Sequence, residues 1–156
     1  MTTRPVIPTI STSALGPAGI AHLPRLWLKM LLSAMGRLPP DYKVMTATFD
    51  RIVLEALALD EARIVEFVRT KLPDYLTFEQ WVRENGKALS AAEISELNKR
   101  YREFPMSAEG AAARRAELKL TDESLRSGVL LNDLDDWGAL HRQLLADSAG
   151  ESGSRA

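Results

Sequence analysis

His22-Leu23-Pro24-Arg25-Leu26-Trp27-Leu28-Lys29-Met30-Leu31-Leu32 is a helix written almost wholly in apolar residues, with two cations set into it. Pro24 suits the first turn of a helix, and Gly36 suits its end. A helix that is apolar nearly all round is expected to be buried. Arg25 and Lys29 are four residues apart and share one face. Buried cations must meet carboxylates, reach water or hold an anion. The stretch therefore predicts a central helix facing a cavity, with Asp50, Asp133, Asp135 or Asp136 as the nearby carboxylate.

The rest of the chain reads as further helices around it. Thr46 or Thr48 precedes a helix through Leu57, and Asp60 precedes Glu61–Leu72, which Pro73 stops. Thr77 is positioned to cap Phe78–Glu84. Ser90 with Glu93 forms a capping box for Ala91–Phe104. Ala108–Leu118 is rich in Ala, Arg and Glu, and Asn132 or Asp133 precedes Leu134–Ala146. No segment alternates as a strand does. The fold class expected is all-α, a single-domain bundle of six or seven helices over residues 21–147. Residues 1–20, with Pro5 and Pro8, predict an extended or mobile arm, and the tail from Ser148 predicts disorder. Leu26, Leu28, Met30, Leu31, Val53, Leu57, Val68, Trp81, Leu97, Leu134 and Trp137 are the expected core.

Composition removes many chemistries. The 156 residues carry 20 Lys plus Arg against 21 Asp plus Glu, which gives no electrostatic case for nucleic acid or an anionic membrane. There is no cysteine, so disulfides, thiolate metal sites and cysteine nucleophiles are excluded. The two histidines cannot make a three-histidine metal site. No phosphate-binding glycine loop, dinucleotide fingerprint or nucleophile elbow is present. No cofactor and no metal are expected. Absence of cysteine fits a cytoplasmic setting. The N-terminal stretch lacks the apolar region of a secretory signal, and Leu26–Met35 is too short to span a bilayer.

The candidate site residues follow from these limits. His22, on the approach to the helix, and His141 are the candidate proton carriers, with Asp50 or Asp136 setting their pKa. Spacing puts His141 on a stripe with Leu134, Trp137 and Leu145, and so toward the core. Arg25 and Lys29 are candidates to bind a carboxylate or another anion. Tyr42, after the Pro39-Pro40 turn, is a candidate pocket hydroxyl, and Trp137 a surface on which an aromatic acid could stack. The run Asp133-Leu134-Asp135-Asp136 lacks the glycine and terminal glutamate of a calcium loop and complements a helix N-terminus instead.

Leu23-Pro24-Arg25 with Lys29, then Gly36, Leu38, Tyr42, Phe49-Asp50, Trp81-Val82, Glu93-Ile94 with Asn98, and Leu134-Asp135-Asp136 stand in an order that resembles DUF5069, a bacterial family of unknown function. The resemblance runs from about Leu23 to Leu145, and Leu28 stands where the family carries an aspartate. It implies a fold and a set of positions, not a reaction. The residues alone favour a redox-cofactor-independent lyase or hydrolase on a small anionic substrate. The alternative is a helical interaction module gripping an acidic partner segment, and self-association as a homo-oligomer stays open.

Overall fold

The computed structural model describes residues 4–153, and within them the chain forms seven helices and no sheet. They are α1 (Leu23–Ala34), α2 (Phe49–Ala56), α3 (Glu61–Lys71), α4 (Tyr75–Asn85), α5 (Ala91–Arg102), α6 (Ala108–Glu117) and α7 (Gly128–Gly153). Helix α1 packs against α3 and α4, α2 against α5, and α6 against α7. Leu23, Leu26 and Met30 of α1 join Ile52, Val53, Ile64, Val68, Phe78, Val82, Leu97 and Tyr101 in one core.

Local chemistry explains most boundaries. Gly36, at φ +64°, ends α1 by letting its own N–H donate to Ser33 O while Arg37 N–H donates to Leu32 O. The Asp60 carboxylate accepts from Arg63 N–H at the start of α3. Ser90 and Glu93 form the expected reciprocal capping box. Two starts differ from expectation. Asp74, not Thr77, caps α4, and Thr77 is the residue whose N–H it accepts. Helix α7 begins at Gly128, with the Ser127 hydroxyl accepting from Leu130 N–H, so Asn132 and Asp133 lie inside the helix rather than at its cap.

The larger difference is the rotation of α7. Leu131 and Asp136 are buried, whereas Trp137 is 53% exposed and Leu144 and Leu145 are each 57% exposed. At 100° per residue, the expected core stripe of Leu134, Trp137, His141 and Leu145 lies on the side of α7 turned away from the protein. Leu134 is half-buried and His141 exposed. In the rest of the expected core, Leu26, Met30, Val53, Leu57, Val68 and Leu97 are buried, while Leu28, Leu31 and Trp81 are half-buried.

The N-terminal arm is extended, as its prolines and glycines require, and is held by side chains. Pro8 O and Ile10 O each accept from Arg25 Nη1 at 2.8 Å. Ser11 donates to Asp133. The Asn98 amide clasps the backbone at Gly19 O and Ala21 N–H. Gly16 lies so close to Tyr75 and Glu79 that a Cβ there would collide with both. At the other end, α7 runs on through Gly153, past the Ser148 start expected for a disordered tail. Residues 1–3 of the arm and 154–156 of the tail lie outside the described residues. No described helix is long and apolar enough to cross a membrane.

Candidate functional site

Helix α1, the loop after it, the start of α2, the Phe104–Ser107 turn, α6 and α7 line a half-open cavity of about 1070 Å³. One side is polar, with His22, Arg25, Lys29, Tyr42 and Asp136. Another is apolar, with Phe49, Phe104, Pro105 and Met106.

His22 is the N-cap of α1 and sits in the left-handed region, at φ 71°. That conformation is uncommon for a non-glycine residue and costs on the order of 1–3 kcal/mol. Its imidazole is buried between Tyr101, which stacks on it at 5.3 Å between ring centroids, and Phe49. Tyr101 is fixed in turn by donating its hydroxyl proton to Phe49 O at 2.7 Å. The His22 Nε2 meets Asp50 Oδ1 at 2.7 Å. The Nδ1 is buried and has no hydrogen-bond partner among the described residues.

Asp50, in the first turn of α2, is saturated. Its Oδ2 accepts from Lys29 Nζ at 2.5 Å, from Thr46 N–H at 2.7 Å and from the Thr46 hydroxyl at 2.8 Å. Burial raises the Asp50 carboxyl, but the His22 hydrogen bond and the Lys29 charge outweigh it and hold the group well below the usual carboxylate range. Burial lowers the His22 imidazole from its usual value despite Asp50. Neutral His22 therefore carries its proton on Nε2, directed at Asp50, and presents a lone pair at Nδ1. Burial also lowers the Lys29 ammonium, with Asp50 opposing it.

Arg25 makes the second ion pair, Nη1 to Asp136 Oδ2 at 2.5 Å. Tyr42 donates to the other oxygen of Asp136 at 2.7 Å, and burial raises its phenol, helped by that carboxylate. The bonds of Arg25 all leave from Nη1, so its Nε and Nη2 hydrogens are uncommitted among the described residues. Lys29 spends one of its three N–H donors on Asp50.

The cavity thus brings together five of the seven expected site residues. His22, Arg25, Lys29 and Tyr42 line it, and Asp50 stands directly behind His22 and Lys29. His141 and Trp137 are not part of it, because α7 presents Asn132, Asp135, Asp136, Ala139 and Arg142 inward. Trp27 and Trp81 are structural: Trp27 donates to Pro73 O, and Trp81 stacks on Phe67. Sequence reasoning missed Thr46 as a partner of Asp50 and Tyr101 as the plate under His22. A weak signal existed for each: Thr46 lies four residues before Asp50, and Tyr101 continues the Ile94–Leu97 face of α5. Among the described residues, no group of three His, Asp or Glu could hold a metal ion.

The cavity-lining residues from His22 to Asp136 lie within a stretch that matches a known family. A family profile, described as a domain of unknown function, DUF5069, matches residues 12–137. The chain belongs to the DUF5069 family. The DUF5069 region takes in the arm from residue 12, all of α1–α6 and α7 as far as Trp137. No curated protein matches the chain.

Proposed function

We propose that the chain is an enzyme acting on a small anionic substrate, by proton transfer at His22 and without a redox cofactor. One observation carries this reading. A buried imidazole, on a residue lining a cavity that also holds Arg25 and Lys29, has its Nε2 fixed on a saturated carboxylate and its Nδ1 without a partner among the described residues. A buried polar atom without a partner costs about 1–3 kcal/mol and calls for an explanation, which a proton-accepting role supplies.

The chemistry follows from the assignments. Nδ1 takes a proton, either from carbon as a leaving group departs, in a lyase, or from the water that attacks, in a hydrolase. The imidazolium so formed is stabilised by Asp50, which stays ionised throughout. The spare N–H groups of Lys29 and Arg25 hold the carboxylate of the substrate and the negative charge that develops beside it. Phe49 and Phe104, rather than a tryptophan, offer the apolar surface for an aromatic acid. The cytoplasm is the proposed setting, on the cysteine-free sequence.

The interaction-module alternative has less support. Arg25 and Lys29 are buried on the cavity wall, where a small anion reaches their spare N–H groups more readily than a segment of a protein partner does. The exposed apolar stripe of α7 leaves room for a homo-oligomer and lies on the other side of that helix from the cations.

Acetate, benzoate and inorganic phosphate, titrated against the full chain with melting temperature and the His22 ring ¹⁵N resonances as readouts, test the proposal. A bound anion raises the melting temperature and moves the Nδ1 resonance, and His22→Asn loses the second effect while staying folded. Asparagine is chosen because it tolerates the left-handed backbone. If no anion changes either readout, the proposal is wrong.

A further inference from the structure

The charges lining the cavity divide into two groups with different accounts. The inner cations are matched, Arg25 by Asp136 and Lys29 by Asp50. Arg114, at the side, meets both Glu117 and Asp135. Arg142 of α7 and Lys43 of the loop after α1 also line the cavity, and neither has an ion pair among the described residues. Both are exposed, so they stand at the mouth, whereas Arg25 and Lys29 are buried. Asp41, two residues from Lys43, is the lining carboxylate that no cation holds. Phe49 and Phe104 lie against Gly128 at the start of α7, so Asp136 and its partner Arg25 stand between them and Arg142 along that helix.

Size adds a second constraint. A cavity of about 1070 Å³ lies just above the roughly 300–1,000 Å³ typical of sites for drug-sized ligands. One small monocarboxylate at Arg25 and Lys29 would leave most of it filled with water and the outer cations without a role.

We infer that the cavity takes a doubly anionic ligand: one anionic group at Arg25 and Lys29, the other, a carboxylate or a phosphate, at Arg142 and Lys43. This rests on reading the cavity as a small-molecule site. The outer pair acts in recognition. It selects for length and for a second charge, while the proton chemistry stays at His22.

The test is isothermal titration of the full chain with α,ω-dicarboxylates of increasing length. Each is compared with the monocarboxylate of the same carbon count and with the corresponding ω-phosphonocarboxylate. At the length that spans the cavity, the dianion binds at least about tenfold tighter than the monoanion, equivalent to about 1.4 kcal/mol. Arg142→Gln combined with Lys43→Gln removes that advantage and leaves monocarboxylate binding unchanged. Both residues are exposed, so the double variant keeps its fold. Tighter binding of the phosphonate names phosphate as the outer group, and tighter binding of the dicarboxylate names carboxylate. Equal binding of mono- and dianions, or an advantage that survives the double variant, overturns the inference and leaves the proposed function standing. If no acid of any length binds, both fall.

Discussion

Helix α1 meets the cavity with Arg25 and Lys29, set in a helix that is otherwise buried among apolar neighbours. Helix α7 meets it with Asn132, Asp135, Asp136 and Arg142, and turns Leu130, Trp137, Leu144 and Leu145 to solvent. In α1 the charges are the exception and their direction is forced, since the protein surrounds the helix. In α7 there are two faces, one polar and one apolar, and the polar one is inside. Periodicity locates the faces of a helix; which face points inward depends on what the neighbouring segments need. Here the cation of α1 needs the carboxylate of α7.

The largest effect should come from the α1–α2 side of this network. Asp50→Ala strips Lys29 of its carboxylate and His22 of its acceptor at once. An uncompensated buried charge of this kind costs about 3–5 kcal/mol, to be read as a drop in the urea midpoint. A loss below 1 kcal/mol would show that Lys29 reaches water. The equivalent change on α7, Asp136→Ala, should cost less, about 1.5–3 kcal/mol, because Arg25 keeps the carbonyls of Pro8 and Ile10. Equal losses would mean that the arm contributes nothing to holding Arg25.

A pH titration sharpens the contrast within α1. The folded-state pKa of His22 lies below its unfolded value of about 6.5, so the unfolded chain binds more protons just below that pH. Stability should therefore fall as pH drops from about 6.5 toward the folded value. Asp50 keeps its charge through this window, since its folded pKa is depressed below the ordinary carboxylate range. His22→Asn should flatten the slope, and an unchanged slope would place its origin elsewhere.

The smallest effect belongs to the outer face of α7. Trp137→Ala should change stability by no more than about 0.5 kcal/mol, against about 2–5 kcal/mol for Leu26→Ala in the core. A large loss for Trp137→Ala that depends on protein concentration would reveal a covering partner, the homo-oligomer that the stripe leaves room for.

This contrast also explains what could be read from the chain. The capping box at Ser90, the stop at Pro73 and the cap at Asp60 were legible because each is settled within a few residues. Arg25, Lys29 and Asp50 were legible as a group because buried cations require carboxylates. The α7 stripe was not, since Trp137 and Leu134 resemble core residues wherever they stand, and only contacts with distant segments turned them outward. Arg114 and Arg142 gave no local signal, because the cavity they line is assembled from segments far apart in sequence. Asp74 and Thr77 are both good caps by composition, and the three-residue shift between them turns on which one follows directly on the buried Pro73.

The left-handed backbone at His22 ties two events together. The residue that carries the lone pair is also the joint at which the N-terminal arm turns into α1. Its torsion is held from both sides, by the arm bound to Arg25 and Asn98 and by the ring wedged between Tyr101 and Phe49. Relaxation of that torsion toward the ordinary negative range would swing the ring off Asp50. Peeling the arm from the helices and moving the imidazole off Asp50 would thus be a single movement, with the first residues of the fold as a latch on the proton transfer proposed for His22.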